Sequence, residues 1–176
     1  MLRGRANPGV SPNPAKAPWY FMGLQELLIH FHPFFVVVVF PLTIIVAGVK
    51  LPYIKLSDSN YGIWFLSGNG KRSALYALAA GILFTILFII ISDFLPDPEV
   101  LFPGIPAIIT TGFIPFILVG TTIYFFQKYL IRRFLLNRSE YIQSIIVIII
   151  ASYAILTLTG IFFRGAGMKL MWPWQI

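Results

Sequence analysis

Four long apolar stretches dominate the pattern of hydrophobic and polar positions along the chain. They cover about residues 33–51, 73–94, 105–127 and 141–163. Each is long enough to cross a hydrocarbon core of roughly 30 Å, which takes about 20 helical residues. None shows the strict alternation that is typical of a half-buried strand. The pattern predicts an all-α integral membrane protein whose four transmembrane helices form a bundle.

A polar segment precedes the first apolar stretch. Residues 1–18 contain four prolines, at positions 8, 12, 14 and 18, and a proline disfavours helix at its own position and at the preceding one. We therefore expect an irregular, proline-rich loop, followed by a short interfacial helix over residues 19–32. The predicted organisation is an extracytoplasmic loop and interfacial helix at 1–32 and a transmembrane domain at 33–176.

Several residues inside the apolar stretches predict local features. Pro41 and Pro115 lie within the first and third stretches, where prolines kink helices. The second stretch contains the small residues Ala79, Ala80 and Gly81, which favour a close helix contact. The preceding sequence SGNGKRS faintly resembles a phosphate-binding loop but lacks its lysine spacing and its flanking strand, so we discount that interpretation.

Composition supports membrane insertion and narrows the possible chemistry. Of the 176 residues, 58% are hydrophobic and 11% are charged, whereas soluble domains carry about a quarter charged residues. There are no cysteines, which excludes disulfides, iron–sulfur ligation, thiolate zinc sites and cysteine nucleophiles. With only two histidines, at positions 30 and 32, the chain is not expected to ligate a metal or a haem alone, or to be catalytic alone.

The positive charge lies where a membrane protein needs it. The net charge is +7, with basic residues just beyond the ends of the apolar stretches, which argues against a nucleic-acid interface. The predicted loops at 50–72 and 128–140 together carry eight basic and two acidic residues, and the opposite side carries five basic and four acidic residues. The positive-inside rule therefore predicts a multi-pass protein of the cytoplasmic (inner) membrane with both termini outside. We expect Arg132, Arg133 and Arg138 to set topology and to contact anionic membrane lipids.

No charged residue lies in the middle of a predicted span. Ion pumps, proton channels and voltage sensors usually carry at least one such residue. This pattern disfavours a transporter or a channel. If the protein handles protons, the sequence places that chemistry at the outer interface, near Glu26 and the histidines.

Residues 6–21, ANPGVSPNPAKAPWYF, resemble the loop before the sixth helix of the cytochrome b family. In subunit IV of the chloroplast plastoquinol-oxidising complex this loop reads approximately A-D-P-x-x-T-P-x-x-x-x-P-E-W-Y-F. The resemblance is specific over residues 6–21, loose over about 22–95 and faint beyond. The positions that correspond without a gap are Ala6, Asn7, Pro8, Ser11, Pro12, Trp19, Tyr20 and Phe21.

The resemblance implies a membrane subunit of a quinol-oxidising respiratory or photosynthetic electron-transfer complex. Its implied partners are a di-haem cytochrome b-like subunit, which would hold haem b, and a Rieske iron–sulfur or cytochrome c subunit. The family splits the two electrons of quinol and releases protons outside. This chain would line the outer quinone site with residues 17–30 and bind no redox centre alone.

One departure from the family pattern concerns the proton. The family glutamate that is thought to accept a proton from quinol falls on Pro18, which has no side-chain acceptor. Either a nearby residue replaces it or the protein does not oxidise quinol in the family's way. Glu26 is the candidate substitute, and Glu26 and His30 share a helix face at i, i+4 as a candidate proton acceptor and relay. We expect partial desolvation to raise the pKa of Glu26.

The candidate quinone-site residues are Pro18, Trp19, Tyr20 and Gln25, and Gln25 takes the place of a site-lining tyrosine of the mitochondrial family. Trp19 and Tyr20 are also compatible with plain aromatic anchors at the membrane interface. Glu26 is likewise compatible with an ordinary interfacial carboxylate. The alternative function is therefore a structural membrane anchor of an oxidoreductase assembly with a degenerate quinone site.

Overall fold

A computed structural model describes residues 16–54, 64–96 and 98–175 of the chain. Residues 1–15 of the predicted proline-rich loop, which carry much of the family resemblance, lie outside these ranges. Residues 55–63 of the first predicted cytoplasmic loop and Asp97 also lie outside them.

The described residues fold into four long helical units and a shorter helix before them. The short helix α1 spans Met22–His30 and follows a 3-10 turn at Trp19–Phe21. The remaining α-helices are α2 (Phe40–Lys50), α3 (Gly68–Phe94), α4 (Pro98–Leu101), α5 (Ile114–Phe134) and α6 (Arg138–Phe162). The units long and apolar enough to cross a membrane are Phe35–Tyr53, Gly68–Phe94, Ile108–Phe134 and Arg138–Phe162. This confirms the predicted all-α, four-helix membrane fold.

Two helices extend beyond their apolar stretches because of local signals at their ends. Helix α3 begins five residues before its predicted start, where the Ser67 hydroxyl caps it by accepting a hydrogen bond from Gly70 N at 2.8 Å. Helix α5 continues to Phe134. Its last turn contains Arg132 and Arg133, and basic residues there interact favourably with the helix dipole.

Each in-span proline is preceded by a π-helical turn. These turns, Phe35–Val39 and Ile108–Phe113, end two residues before Pro41 and Pro115. Proline has no N–H and its ring clashes with the carbonyl four residues earlier, so a regular α-helix does not continue through it undisturbed. The carbonyl four residues before Pro115 is that of Thr111, which accepts a hydrogen bond from His32 N at 2.9 Å. Because Pro115 has no N–H to donate to it, the Thr111 carbonyl oxygen is available to bond with the segment just before the first span.

Helices α3 and α6 form the closest long-helix pair of the bundle. A Cβ at Gly81 would lie 2.8 Å from Ala151 Cβ and 2.9 Å from the Ile148 carbonyl oxygen, so the two backbones approach more closely than a side chain allows. Ala80 is buried beside it, whereas Ala79 is exposed. The predicted small-residue contact is therefore confirmed for Ala80 and Gly81.

A buried carboxylate joins α3 and α6 at the end that the charge pattern assigns to the cytoplasm. Glu140 Oε1 accepts hydrogen bonds from Ser67 N at 3.0 Å and from Ser67 Oγ at 2.6 Å. The same residue forms a capping box with Asn137 at the start of α6. The SGNG stretch is thus a helix cap occupied by an internal carboxylate, which the positive end of the α3 dipole favours.

The Gly81 contact makes a stability prediction. Gly81→Leu should destabilise the bundle by about 1–3 kcal/mol or more, because the new side chain overpacks the contact between α3 and α6. Gly120→Leu is the matched control, since a Cβ at Gly120 in α5 would meet no atom within 4 Å. Thermal unfolding in detergent measures both variants, and equal melting temperatures would contradict the described packing.

Candidate functional site

Helix α1 packs directly against α6. A Cβ at Gly23 would lie 2.7 Å from Thr157 Oγ1, and a Cβ at Gly160 would lie 3.3 Å from Met22 Cβ. These two glycines let the helices approach closely. As a result, the face of α1 that includes Glu26 and His30 is turned into the protein and buried.

Glu26 forms a buried ion pair with Arg164. The Glu26 side chain is 0% exposed and the Arg164 side chain is 1% exposed. Arg164 Nε lies 3.0 Å from both carboxylate oxygens, and Nη2 donates to Oε1 at 2.5 Å. Two hydrogen-bond donors of one guanidinium therefore hold the carboxylate in a fixed orientation.

The remaining donors of Arg164 reach two other parts of the chain. Nη1 donates to the Met168 carbonyl oxygen at 3.0 Å and lies 2.9 Å from Asp93 Oδ2 near the end of α3. Arg164 comes two residues after α6, where the chain turns back so that Met171 N donates to the Phe163 carbonyl oxygen at 2.8 Å. Arg164 therefore connects α1, α3 and the folded-back tail.

His30 completes this polar cluster, which we define as Glu26, His30, Asp93 and Arg164. Its Nε2 lies 3.2 Å from both Glu26 Oε1 and Arg164 Nη2, and its Nδ1 lies 2.8 Å from Ser92 Oγ. A protonated Nε2 donates to Glu26, and an unprotonated Nε2 accepts from Arg164. The neighbours therefore satisfy this ring nitrogen in either protonation state.

The polar cluster contains one more acidic group than it has guanidinium groups. Two carboxylates face one guanidinium, so the cluster carries a net charge of −1 when the imidazole is neutral. A proton on His30 brings the net charge to zero. In the described part of the chain, every ion pair belongs to this cluster. The arrangement therefore gathers two carboxylates, a guanidinium and an imidazole in one buried site.

The expectation of a raised Glu26 pKa is wrong. Burial alone would raise the pKa of Glu26, but the hydrogen bonds from His30 and Arg164, together with the positive charge of Arg164, hold it below its ordinary value of 4.5. Arg164 lies 138 residues away in sequence, and the charge pattern includes it only as one of the five basic residues on its predicted side. Arg164 directly follows the uncharged fourth apolar stretch, and the charge pattern places it on the same side of the membrane as Glu26 and Asp93. This combination is the sequence signal that could have identified the ion pair.

Three of the predicted quinone-site residues, Pro18, Trp19 and Tyr20, lie just before α1. Pro18 is exposed and its carbonyl oxygen accepts from Phe21 N at 2.9 Å. Trp19 is 72% exposed and Tyr20 is 55% exposed. At about 1.5 Å per helical residue, Tyr20 lies about 9 Å along the axis from Glu26. The sequence predicts the aromatic residues and the buried carboxylate on one interfacial helix, but they lie in different parts of this segment.

Gln25 is half-buried and supports the chain just before the aromatic rings. Its Oε1 accepts a hydrogen bond from Ala17 N at 2.7 Å. This contact holds the residue before Pro18 against α1. The structure therefore gives Gln25 a role in positioning the segment that carries Trp19 and Tyr20.

Comparison with protein-family models, with curated proteins and with solved structures gave no match for this chain. Within the described ranges, no group of three histidine, aspartate or glutamate side chains is arranged to hold a metal ion. The function is therefore inferred from the arrangement of the residues and from the sequence resemblance.

The lowered pKa of Glu26 predicts an acid-dependent loss of stability. Because the folded pKa lies below the ordinary value of 4.5, the ionised carboxylate contributes its full stabilisation above that value, and the contribution is lost as pH falls through the folded pKa. Thermal unfolding measured against pH should show this loss. The double variant Glu26→Leu/Arg164→Met should show a smaller loss, and an unchanged pH profile would contradict the assignment.

Proposed function

We propose that the chain is the haem-free membrane subunit of a quinol-oxidising electron-transfer complex. In this proposal residues 17–30 line the outer quinone site beside a di-haem cytochrome b-like subunit. The observation that carries it is the pairing of an exposed aromatic segment with a buried cluster that can take one proton. The resemblance of residues 6–21 to the family's quinol-site loop supports the same function.

His30 is the proton-binding member of the cluster in this proposal. The Arg164 guanidinium keeps Glu26 ionised, so Glu26 acts as the negative partner that stabilises a protonated His30. This arrangement replaces the family glutamate, whose position here is Pro18. The His30 side chain is itself 1% exposed, and the Asp93 side chain, 18% exposed, brings the cluster to solvent.

The proposed reaction divides the work between this chain and its partners. Quinol loses two electrons and two protons when it is oxidised. The electrons pass to the redox centres of the di-haem subunit and of the Rieske iron–sulfur or cytochrome c subunit, which this chain does not supply. One proton passes to His30 and the other is released directly to water. Ser92 and Asp93 lie on the side of the cluster from which the His30 proton leaves.

The aromatic residues before α1 suit a flat quinone headgroup. Trp19 and Tyr20 meet edge to face with ring centroids 5.7 Å apart, and the Tyr20 and Phe21 centroids lie 5.0 Å apart. All three rings are exposed. Stacking on such rings binds a planar headgroup without requiring a charged partner.

Helix α2 offers a surface for the partner subunit. Every residue from Pro41 to Lys50 is exposed, and a Cβ at Gly48 would meet no atom within 4 Å. Small residues allow transmembrane helices to approach each other closely. In the proposed complex this face packs against the di-haem subunit.

The second candidate function is a structural membrane anchor of an oxidoreductase assembly. The complete burial of Glu26 and its two-point contact with Arg164 favour this alternative, because such a pair also serves to fix α1. In that case the quinone site is degenerate and the cluster binds no substrate proton.

Replacing His30 distinguishes the two functions. His30→Gln keeps hydrogen-bonding atoms near Ser92 and Glu26 but cannot take up a proton at neutral pH. Quinol-dependent turnover of the complex should fall about 100-fold or more, the usual contribution of acid–base catalysis.

His32→Gln is the matched control, because His32 lies outside the polar cluster and its Nδ1 accepts a hydrogen bond from nearby Phe34 N at 3.3 Å. This variant should retain turnover. Haem content and subunit composition of the purified complex establish that both variants assemble. Unchanged turnover in assembled His30→Gln would support the anchor instead.

A further inference from the structure

One face of α5 carries an unpaired cluster of positive charge near the end of the helix. Residues 125, 128, 129, 132 and 133 recur at the i, i+3, i+4, i+7 and i+8 spacing of a single helical face. They line an open groove of about 430 Å³. The opposite face, with Gln127, Leu130 and Phe134, is buried in the bundle. The groove therefore faces away from the rest of the chain.

We define the basic groove by its lining residues Phe125, Lys128, Tyr129, Arg132 and Arg133. Its three cationic side chains are exposed, and none of them forms an ion pair with a carboxylate in the described part of the chain. Three positive charges lie within less than two helical turns. The groove is thus electrostatically complementary to an anion.

The surroundings of the basic groove select an amphipathic anion. The same helical face continues toward the start of α5 with the exposed apolar residues Ile114 and Leu118 and reaches Phe125 at the groove. A soluble phosphate would meet only the charged part of this surface. A phospholipid would place its phosphate among the cations and an acyl chain along the apolar part.

We propose that the basic groove binds an anionic phospholipid of the phosphatidylglycerol type. Arg132 and Arg133 donate hydrogen bonds to the phosphate oxygens, a geometry that guanidinium groups favour. Lys128 adds a third charge, and Phe125 and Tyr129 lie at the level of the glycerol and the first methylenes. An acyl chain follows the same face from Phe125 toward Leu118. This site is separate from the proposed quinone site, which lies on α1.

Native mass spectrometry of the purified full chain tests the proposal. The probes are phosphatidylglycerol and phosphatidylcholine with identical acyl chains, so only the headgroup differs. The wild-type chain should retain the anionic lipid in preference. The triple variant Lys128→Gln/Arg132→Gln/Arg133→Gln should bind phosphatidylglycerol at least about tenfold more weakly than the wild type. The reason is that each basic residue near a membrane surface contributes to anionic-lipid binding.

Two control variants separate a specific site from general charge. Lys50→Gln/Lys71→Gln/Arg72→Gln removes three exposed charges from the same predicted side and should bind as the wild type does. The swap Ile131→Arg/Arg132→Ile keeps the net charge but turns one guanidinium by about 100° around the helix, and it should weaken binding. The swap also tests the site if the triple variant does not fold.

Three outcomes would overturn the proposal. Equal weakening in the two triple variants would show a general charge effect. Unchanged binding in the folded swap variant would show that the face of α5 is not the site. Displacement of phosphatidylglycerol by inorganic phosphate at similar concentration would show a soluble-anion site instead of a lipid site.

Discussion

Burial of Arg164 is the constraint on which the position of α1 depends. A guanidinium that is 1% exposed must find acceptors for its donors inside the protein. Glu26 in α1 and the Met168 carbonyl oxygen in the tail accept these hydrogen bonds, and the Asp93 carboxylate in α3 lies 2.9 Å from the guanidinium as a second negative partner. Removing one partner from a buried ion pair typically costs about 3–5 kcal/mol. The position of α1 across α6 is therefore tied to one residue near the end of the sequence.

The same constraint shapes the chemistry of the cluster. One guanidinium lies between two carboxylates, with the His30 imidazole beside them. A simple structural ion pair needs only one carboxylate. The second carboxylate, the adjacent imidazole and the exposed rings of Trp19 and Tyr20 are what favour a proton-handling site at the membrane surface over an anchor.

The transmembrane plan could be predicted from the sequence because it follows from local patterns. Apolar length fixes the spans, and Pro41 and Pro115 mark the positions of the π turns. The i, i+4 spacing of Glu26 and His30 also placed those two side chains together. The contact with Arg164 could not be predicted in this way, because no local pattern links residues 138 positions apart. That missing contact is why the expected direction of the Glu26 pKa was wrong.

Purification of the intact assembly through this chain, from native membranes in mild detergent, tests the functional account most directly. Mass spectrometry identifies the chains that co-purify, and absorption spectra report their haem content. The account predicts a di-haem cytochrome b-like chain together with a Rieske iron–sulfur or cytochrome c subunit, and haem reduction when quinol is added. Recovery of the chain alone, or with a dehydrogenase that has no haem b, would contradict it.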